Sequence, residues 1–285
     1  ISSPQIQANI FFCSFFYCKH KCTLSCTFFL TINFIALNSV FSYIWLSSEV
    51  SIQTVTINFF RFSTISARLW AFSQMLFAKF YLNRIEGLKF YKLFGSGIGE
   101  GFTPIQNTRV YAILTVWDNS EKEQIGSKSP IITRYQRWAS ENWTLNLKTT
   151  SVRGKWSTQS PFTANKYDSK QHNSPIVVLT RATIKPKILL KFFGHVPSIS
   201  KVIGDDPNVI FKIGLAELPF LHQVTFSIWP DIESMIKFAH KEGPHKKAID
   251  DVRKYNWFSE ELYARFRITD SSGLWEGKCQ RNLNK

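Results

Sequence analysis

With 285 residues, 44% of them hydrophobic, the chain can bury a sizeable core as one large domain or two small ones. Its formal net charge is +15, but the cations are spread thinly and no zinc-finger, helix-turn-helix or RNP-type wording accompanies them, so nucleic acid is not an expected partner. Four of the five cysteines lie in the first 26 residues; the body therefore has no disulfide framework, which fits a reducing, cytoplasmic setting.

Residues 1–50 differ from the rest, being rich in Phe, Ile, Ser, Cys and Asn and almost free of charge. The stretch TLSCTFFLTINFIALNSVFSYIWL (23–46) is long enough to span a bilayer, with Lys19 and Lys21 on its N-terminal flank. Three readings stay open: a spurious upstream translation, a membrane anchor or signal, or an element of the fold.

From residue 51 the texture changes. QTVTINFFRF alternates as a strand. ISARLWAFSQMLFAKFYLNRI (65–85) has a helical apolar period. LKFYKLF and TRVYAILTVW read as strands, followed by a helix around 129–142 and a strand near 143–149. The polar, turn-rich stretch 157–175 reads as a linker. Beyond it, strands are expected near 176–184, 208–216, 222–230 and 261–269, with helices near 186–204 and 232–255.

The chain repeats itself at an offset of about 120 residues. Arg61 in FFRFST matches Arg181 in LTRATI and Lys92 in FYKLF matches Lys212 in IFKIG, while YAILTVWDN matches VTFSIWPDI with Trp117 and Trp229 about 112 apart. Each copy, 51–156 and 176–285, reads strand, helix, strand, strand, helix, strand. The expected fold is therefore α+β: two ferredoxin-like βαββαβ units from an internal duplication, closed into a barrel of the dimeric α/β type. The first copy carries an extra GSGIGEGFTP, read as a mobile loop; its glycine spacing fits no phosphate-binding motif. The second copy carries extra residues around HKEGPHKK.

That second insertion holds two histidines. Pro244 favours a helix start, which puts His245 in a first turn, while His240 ends the preceding helix. His195, in FFGHVPSIS, is placed late in the unit's first helix. Each of the three is either a capping or packing residue or a ligand. No pair has zinc-helix spacing, whereas a single histidine facing an apolar cavity suits haem iron. Arg181 and Lys212, with Arg61 and Lys92, are candidates for haem propionates or a partner surface, or are exposed strand ends.

GLKFYKLFGSGIGEGFTP, VVLTRATIKP, FFGHVPSISK, FKIGLAELP and GPHKKAIDDVRKYNWFSEELYARF resemble the spheroidene monooxygenase family of carotenoid biosynthesis, over about residues 52–278. The resemblance implies an O2-dependent oxidation of a carotenoid end group to a hydroxy or keto product. It also implies a haem cofactor and a ferredoxin-like electron donor. By position His245 is the first candidate for the haem iron, His195 the second and His240 the third. A haem-free barrel oxygenase or isomerase, or a carrier of apolar ligands, remains an alternative. The basic surface fits a peripheral position on an anionic inner membrane, where carotenoids reside.

Overall fold

The computed structural model describes residues 52–99, 103, 105–165, 174–190, 192, 194, 208–240, 244–280 and 283, with the side chains of 240 and 244–249 outside the description. Eight strands carry the fold: β1 (Thr54–Arg61), β2 (Leu88–Gly97), β3 (Gln106–Trp117), β4 (Glu141–Gly154), β5 (Ile176–Ile184), β6 (Phe211–Leu218), β7 (His222–Trp229) and β8 (Phe258–Trp275). A two-residue strand, β9 (Lys278–Cys279), folds back on the end of β8. The strand order is β4-β1-β3-β2-β6-β7-β5-β8, and β4 pairs with β8, so the sheet closes into a barrel. Closure gives each of the eight strands two neighbours, whereas an open eight-stranded sheet leaves two strands at its edges.

Alternation decides what fills it. Val55, Ile57 and Phe59 of β1, Val177 and Leu179 of β5, and their counterparts on the other strands form one continuous core inside the barrel. Helices cover the outside. On the first half lies α1 (Ile65–Leu82), capped by Thr64, whose Oγ1 accepts from the Ala67 N–H at 3.2 Å. Beside it lie α2 (Ser120–Gly126) and α3 (Pro130–Trp138), the latter begun by a proline at its first turn. On the second half α4 (Ile232–His240) sets Met235 and Phe238 against Ile176 and Trp229, and α5 (Pro244–Tyr255) follows.

The duplication is visible in side-chain detail. Trp117 and Trp229 end equivalent strands, and each indole N–H donates at 3.0 Å to a hydroxyl two residues back, Thr115 or Ser227. Gly154 on β4 and Gly273 on β8 sit at φ +95° and +111°. Each lies against the backbone of the opposite strand, where a Cβ would fall 2.1 Å from the Glu261 carbonyl or 2.2 Å from that of Asn142. Glu141 accepts from the N–H groups of Glu276 and Gly277, each at 3.0 Å. Glu260 accepts likewise from Ser157 at 2.9 Å and Thr158 at 2.7 Å.

The register corrects one sequence expectation. Thr54 faces Trp117 and Ile176 faces Trp229, so Arg61, facing Val110, corresponds to Thr183, facing His222. Arg181 corresponds instead to Phe59. In the same way Lys92 corresponds to Ile213, and Lys212 to Tyr91. A register irregularity between Leu88 and Phe90 in β2 shifts the count by one. The cations that look equivalent at an offset of 120 are not equivalent in space.

Candidate functional site

The barrel has two mouths, and the duplication would make them alike. They are not. At the first, Arg181 sits at an inward position of β5, only 1% exposed. It pairs with Glu217 of β6 through Nε at 3.4 Å and with Glu260 of β8 through Nη1. Lys92 reaches Glu217 at 2.7 Å, and the indole N–H of buried Trp156 donates to the same carboxylate at 2.7 Å. Two cations thus meet two carboxylates around one tryptophan. Burial pulls the Glu260 carboxyl upward, but the Thr158 and Ser157 N–H bonds and Arg181 outweigh it and hold it below the usual range. His222 joins this cluster from β7. Burial is the main reason its imidazole is pushed below the ordinary value, helped by Arg181 and Lys92 and opposed by Glu217 and Glu260.

The second mouth replaces most of these charges with apolar or short groups and keeps Glu141 where the first has Glu260. Phe59 stands where Arg181 stands, Ile213 where Lys92 stands, Val110 where His222 stands, and the short Ser96 where Glu217 stands. The result is a cleft of about 290 Å³ lined by Val110, Val209, Ile210, Phe211, Ile213 and Trp275, together with the polar Ser96, Asn107 and Lys212 and the backbone of Gly97, with Arg61 and Glu276 at its rim. Aromatic rings floor it. Phe59 lies 5.4 Å from Trp143, 5.6 Å from Phe211 and 5.8 Å from Trp275, and Trp143 meets Phe211 edge-on at 4.7 Å. Arg61 lies at the rim beside Glu276. Its guanidinium lies 4.8 Å from the Trp275 ring, with Glu141 at 2.9 Å and Glu276 at 3.2 Å. The volume is at the lower edge of the ~300–1,000 Å³ typical of small-molecule sites. Such a cleft takes the end of a long apolar ligand, not its whole length.

The structure separates the residues nominated from sequence. Arg181 is in the charged mouth, away from the cleft. Lys212 alternates with the inward-facing Phe211 and Ile213, so its position belongs to the outer face of β6 at the cleft's edge. His240 closes α4 and His245 is the second residue of α5, as the Gly-Pro break implies; their side chains lie outside the described residues, as does His195 altogether. Among the described residues no group of three His, Cys, Asp or Glu is placed to hold a metal. Nor do they fit a haem by themselves: His222, the one histidine with a described side chain, faces the charged mouth rather than the cleft. The aromatic floor was missed by sequence reasoning because Phe59, Trp143, Phe211 and Trp275 come from four strands spread over more than 200 residues.

A closed barrel of two duplicated ferredoxin-like units, plugged by ions at one mouth and open through an aromatic cleft at the other, defines a dimeric α/β-barrel protein. Among solved structures it is similar to aldoxime dehydratase, at a TM-score of 0.53 and 9% identity over 79% of this chain and 84% of that one. A second aldoxime dehydratase, in complex with butyraldoxime, matches equally at 0.53, with 9% identity over 78% and 81% of the two chains. At these identities the likeness concerns the fold alone. No family model matches the chain. It is 47% identical over 229 residues to the spheroidene monooxygenase of Cereibacter sphaeroides, covering 79% of this chain and 70% of that protein. It is 44% identical over 224 residues to the spheroidene monooxygenase of Rhodobacter capsulatus, covering 78% and 93%. It is 27% identical to that of Rubrivivax gelatinosus, over 75% and 81%. The chain belongs to the spheroidene monooxygenase family.

Proposed function

We propose that this protein is a carotenoid monooxygenase that oxidises the end group of its substrate at the aromatic cleft. The identity of 47% over 229 residues to a spheroidene monooxygenase carries the reading. The cleft supports the placement: Phe211 and Trp275 give it an aromatic wall beside Val110 and Ile213, and it is sized for one end of a polyene. One atom of O2 enters a C–H bond of the end group as hydroxyl. The other leaves as water, and two electrons come from a ferredoxin-like donor whose acidic surface the net charge of +15 suits. A second round takes the alcohol toward the ketone. Haem is the proposed cofactor and supplies oxygen activation when bound; His245 is the proposed iron ligand, with His195 and His240 next. The chain's own contribution is to exclude water, to hold the end group against Phe211 and Trp275, and to leave Arg61 at the rim. The proposed location is the cytoplasmic face of the membrane that dissolves the carotenoid.

The test is turnover of spheroidene by the full chain supplied with haem, O2 and reduced ferredoxin, with products resolved by mass. One added oxygen atom is expected. Ile210→Trp, which fills the cleft from an exposed rim position, lowers kcat/KM at least about tenfold with the circular dichroism unchanged. Tight binding with spheroidene recovered intact would make the protein a carrier and overturn the reading. Turnover without haem would remove the cofactor from it. A Soret band lost in His245→Ala, and retained in His240→Ala, would fix the ligand.

A further inference from the structure

Helix α1 is built inside out. The residues it buries are mostly small, Ala67, Ala71 and Ala78, with Gln74 and Leu82. The residues it turns to solvent are large: Leu69 is 66% exposed, Phe72 55%, Leu76 63% and Phe80 57%. At the helical period these four form a single stripe opposite the buried one. A helix apolar on both sides is normally covered on both.

The charges around the stripe say what covers it. Arg68 and Lys79 lie on its margin, and no Asp or Glu occurs anywhere from residue 51 to residue 85. Neighbouring α3 contributes Arg134 and Arg137 and no acid. Aromatic rings join the two helices: Trp70 stacks on half-exposed Trp138 at 5.6 Å, and Arg134 lies 5.8 Å from the Tyr81 ring. Apolar stripe, aromatic belt and a one-signed cationic margin are the marks of a surface that rests in a lipid headgroup layer. A second copy docked here would bring these cations against one another with no carboxylate between them. No described helix is long and apolar enough to cross a membrane, so the contact is one of lying on the surface.

We infer that the outer face of α1, continued by α3, docks this protein on an anionic lipid surface. The orientation serves the cleft. α1 starts four residues after Arg61, and α3 ends three residues before Glu141, so both reach the lipid at the cleft's mouth. This purpose rests on the carotenoid reading above; the docking itself rests on the helix.

The experiment is co-sedimentation of the full chain with phosphatidylglycerol vesicles and with phosphatidylcholine vesicles. Its partner is Leu69→Ser/Phe72→Ser/Leu76→Ser/Phe80→Ser, checked by thermal melting. Wild type is expected to partition to the anionic vesicles, less so at high salt, and the variant about tenfold or more weakly. Equal sedimentation of variant and wild type would overturn the inference. So would a wild-type dimer in light scattering that the variant turns into a monomer while vesicle binding is unchanged. Vesicle binding is read without turnover, so failure of the carotenoid chemistry and failure of the docking are told apart.

Discussion

Arg181 occupies the place that Phe59 holds in the other half, the most buried of the exchanges that make the two barrel mouths different. A buried guanidinium is tolerable only with its charge met, and Glu217, Glu260 and the Trp156 ring meet it. Arg181 also adds to the effect of burial on the His222 imidazole. Its folded pKa lies below the ordinary 6.5, so the unfolded chain takes up the proton more readily than the folded one. The stability this confers is complete above pH 6.5 and is lost as pH falls from 6.5 toward the folded value. Urea denaturation across that window is expected to show the decline, and His222→Gln to flatten it. An unchanged slope in the variant would assign the decline to other groups.

Strands β4 and β8 set the shape of the barrel, and two glycines let them meet. Gly273→Ala forces a Cβ into the Asn142 carbonyl at a φ that alanine avoids, and is expected to cost about 2 kcal/mol or more. Gly277→Ala, also at positive φ but with open space at its Cβ, costs less. The two denaturation midpoints, compared, decide between these. The same strands mark the limit of what the sequence reveals. β5 reads directly from its apolar run, and β1 to within one residue at each end, because in both the neighbours along the chain carry the pattern. β4 and β8 are expected over 143–149 and 261–269 but extend over Glu141–Gly154 and Phe258–Trp275. Their extra length is stabilised by pairing with each other, a contact more than 100 residues distant in sequence. The single helix expected over 129–142 begins at Pro130 and stops at Trp138, because Ser140 already joins β1: its N–H donates to the Arg61 carbonyl at 2.8 Å. Of the nominated site residues, the sequence places His240 and His245 correctly at helix ends. It pairs Arg181 with Arg61 and Lys212 with Lys92, whereas the strand registers set Arg181 against Phe59 and Lys212 against Tyr91, an equivalence fixed by long-range pairing and not by residue type.

At the scale of the whole barrel, duplication supplies the frame and divergence supplies the site. Arg181, Lys92 and Glu217 at one mouth have the apolar or short counterparts Phe59, Ile213 and Ser96 at the other, while Glu260 keeps a carboxylate counterpart in Glu141. Paired cations and carboxylates fill one end, and the aromatic cleft lies at the other. The helices follow the same asymmetry. α4 covers its half with Met235 and Phe238 turned inward, whereas α1 turns its larger side chains out.

The two halves are joined along two lines of unequal length. Between β4 and β8 eleven residue pairs are in register, from Trp143–Gly273 to Gly154–Leu262; between β2 and β6 there are two, Gly95–Ala216 and Ser96–Leu215. A cylinder zipped by a long row of teeth on one side and two teeth on the other breathes at the short row. Ser96 belongs to that row and also lines the cleft. Hydrogen–deuterium exchange is expected to reach the amides of 95–97 and 215–217 well before those of 147–154 and 262–268. Equal protection would mean a rigid cylinder, while early exchange would give the polyene a slit in the wall through which to slide sideways, its far end never leaving the oil.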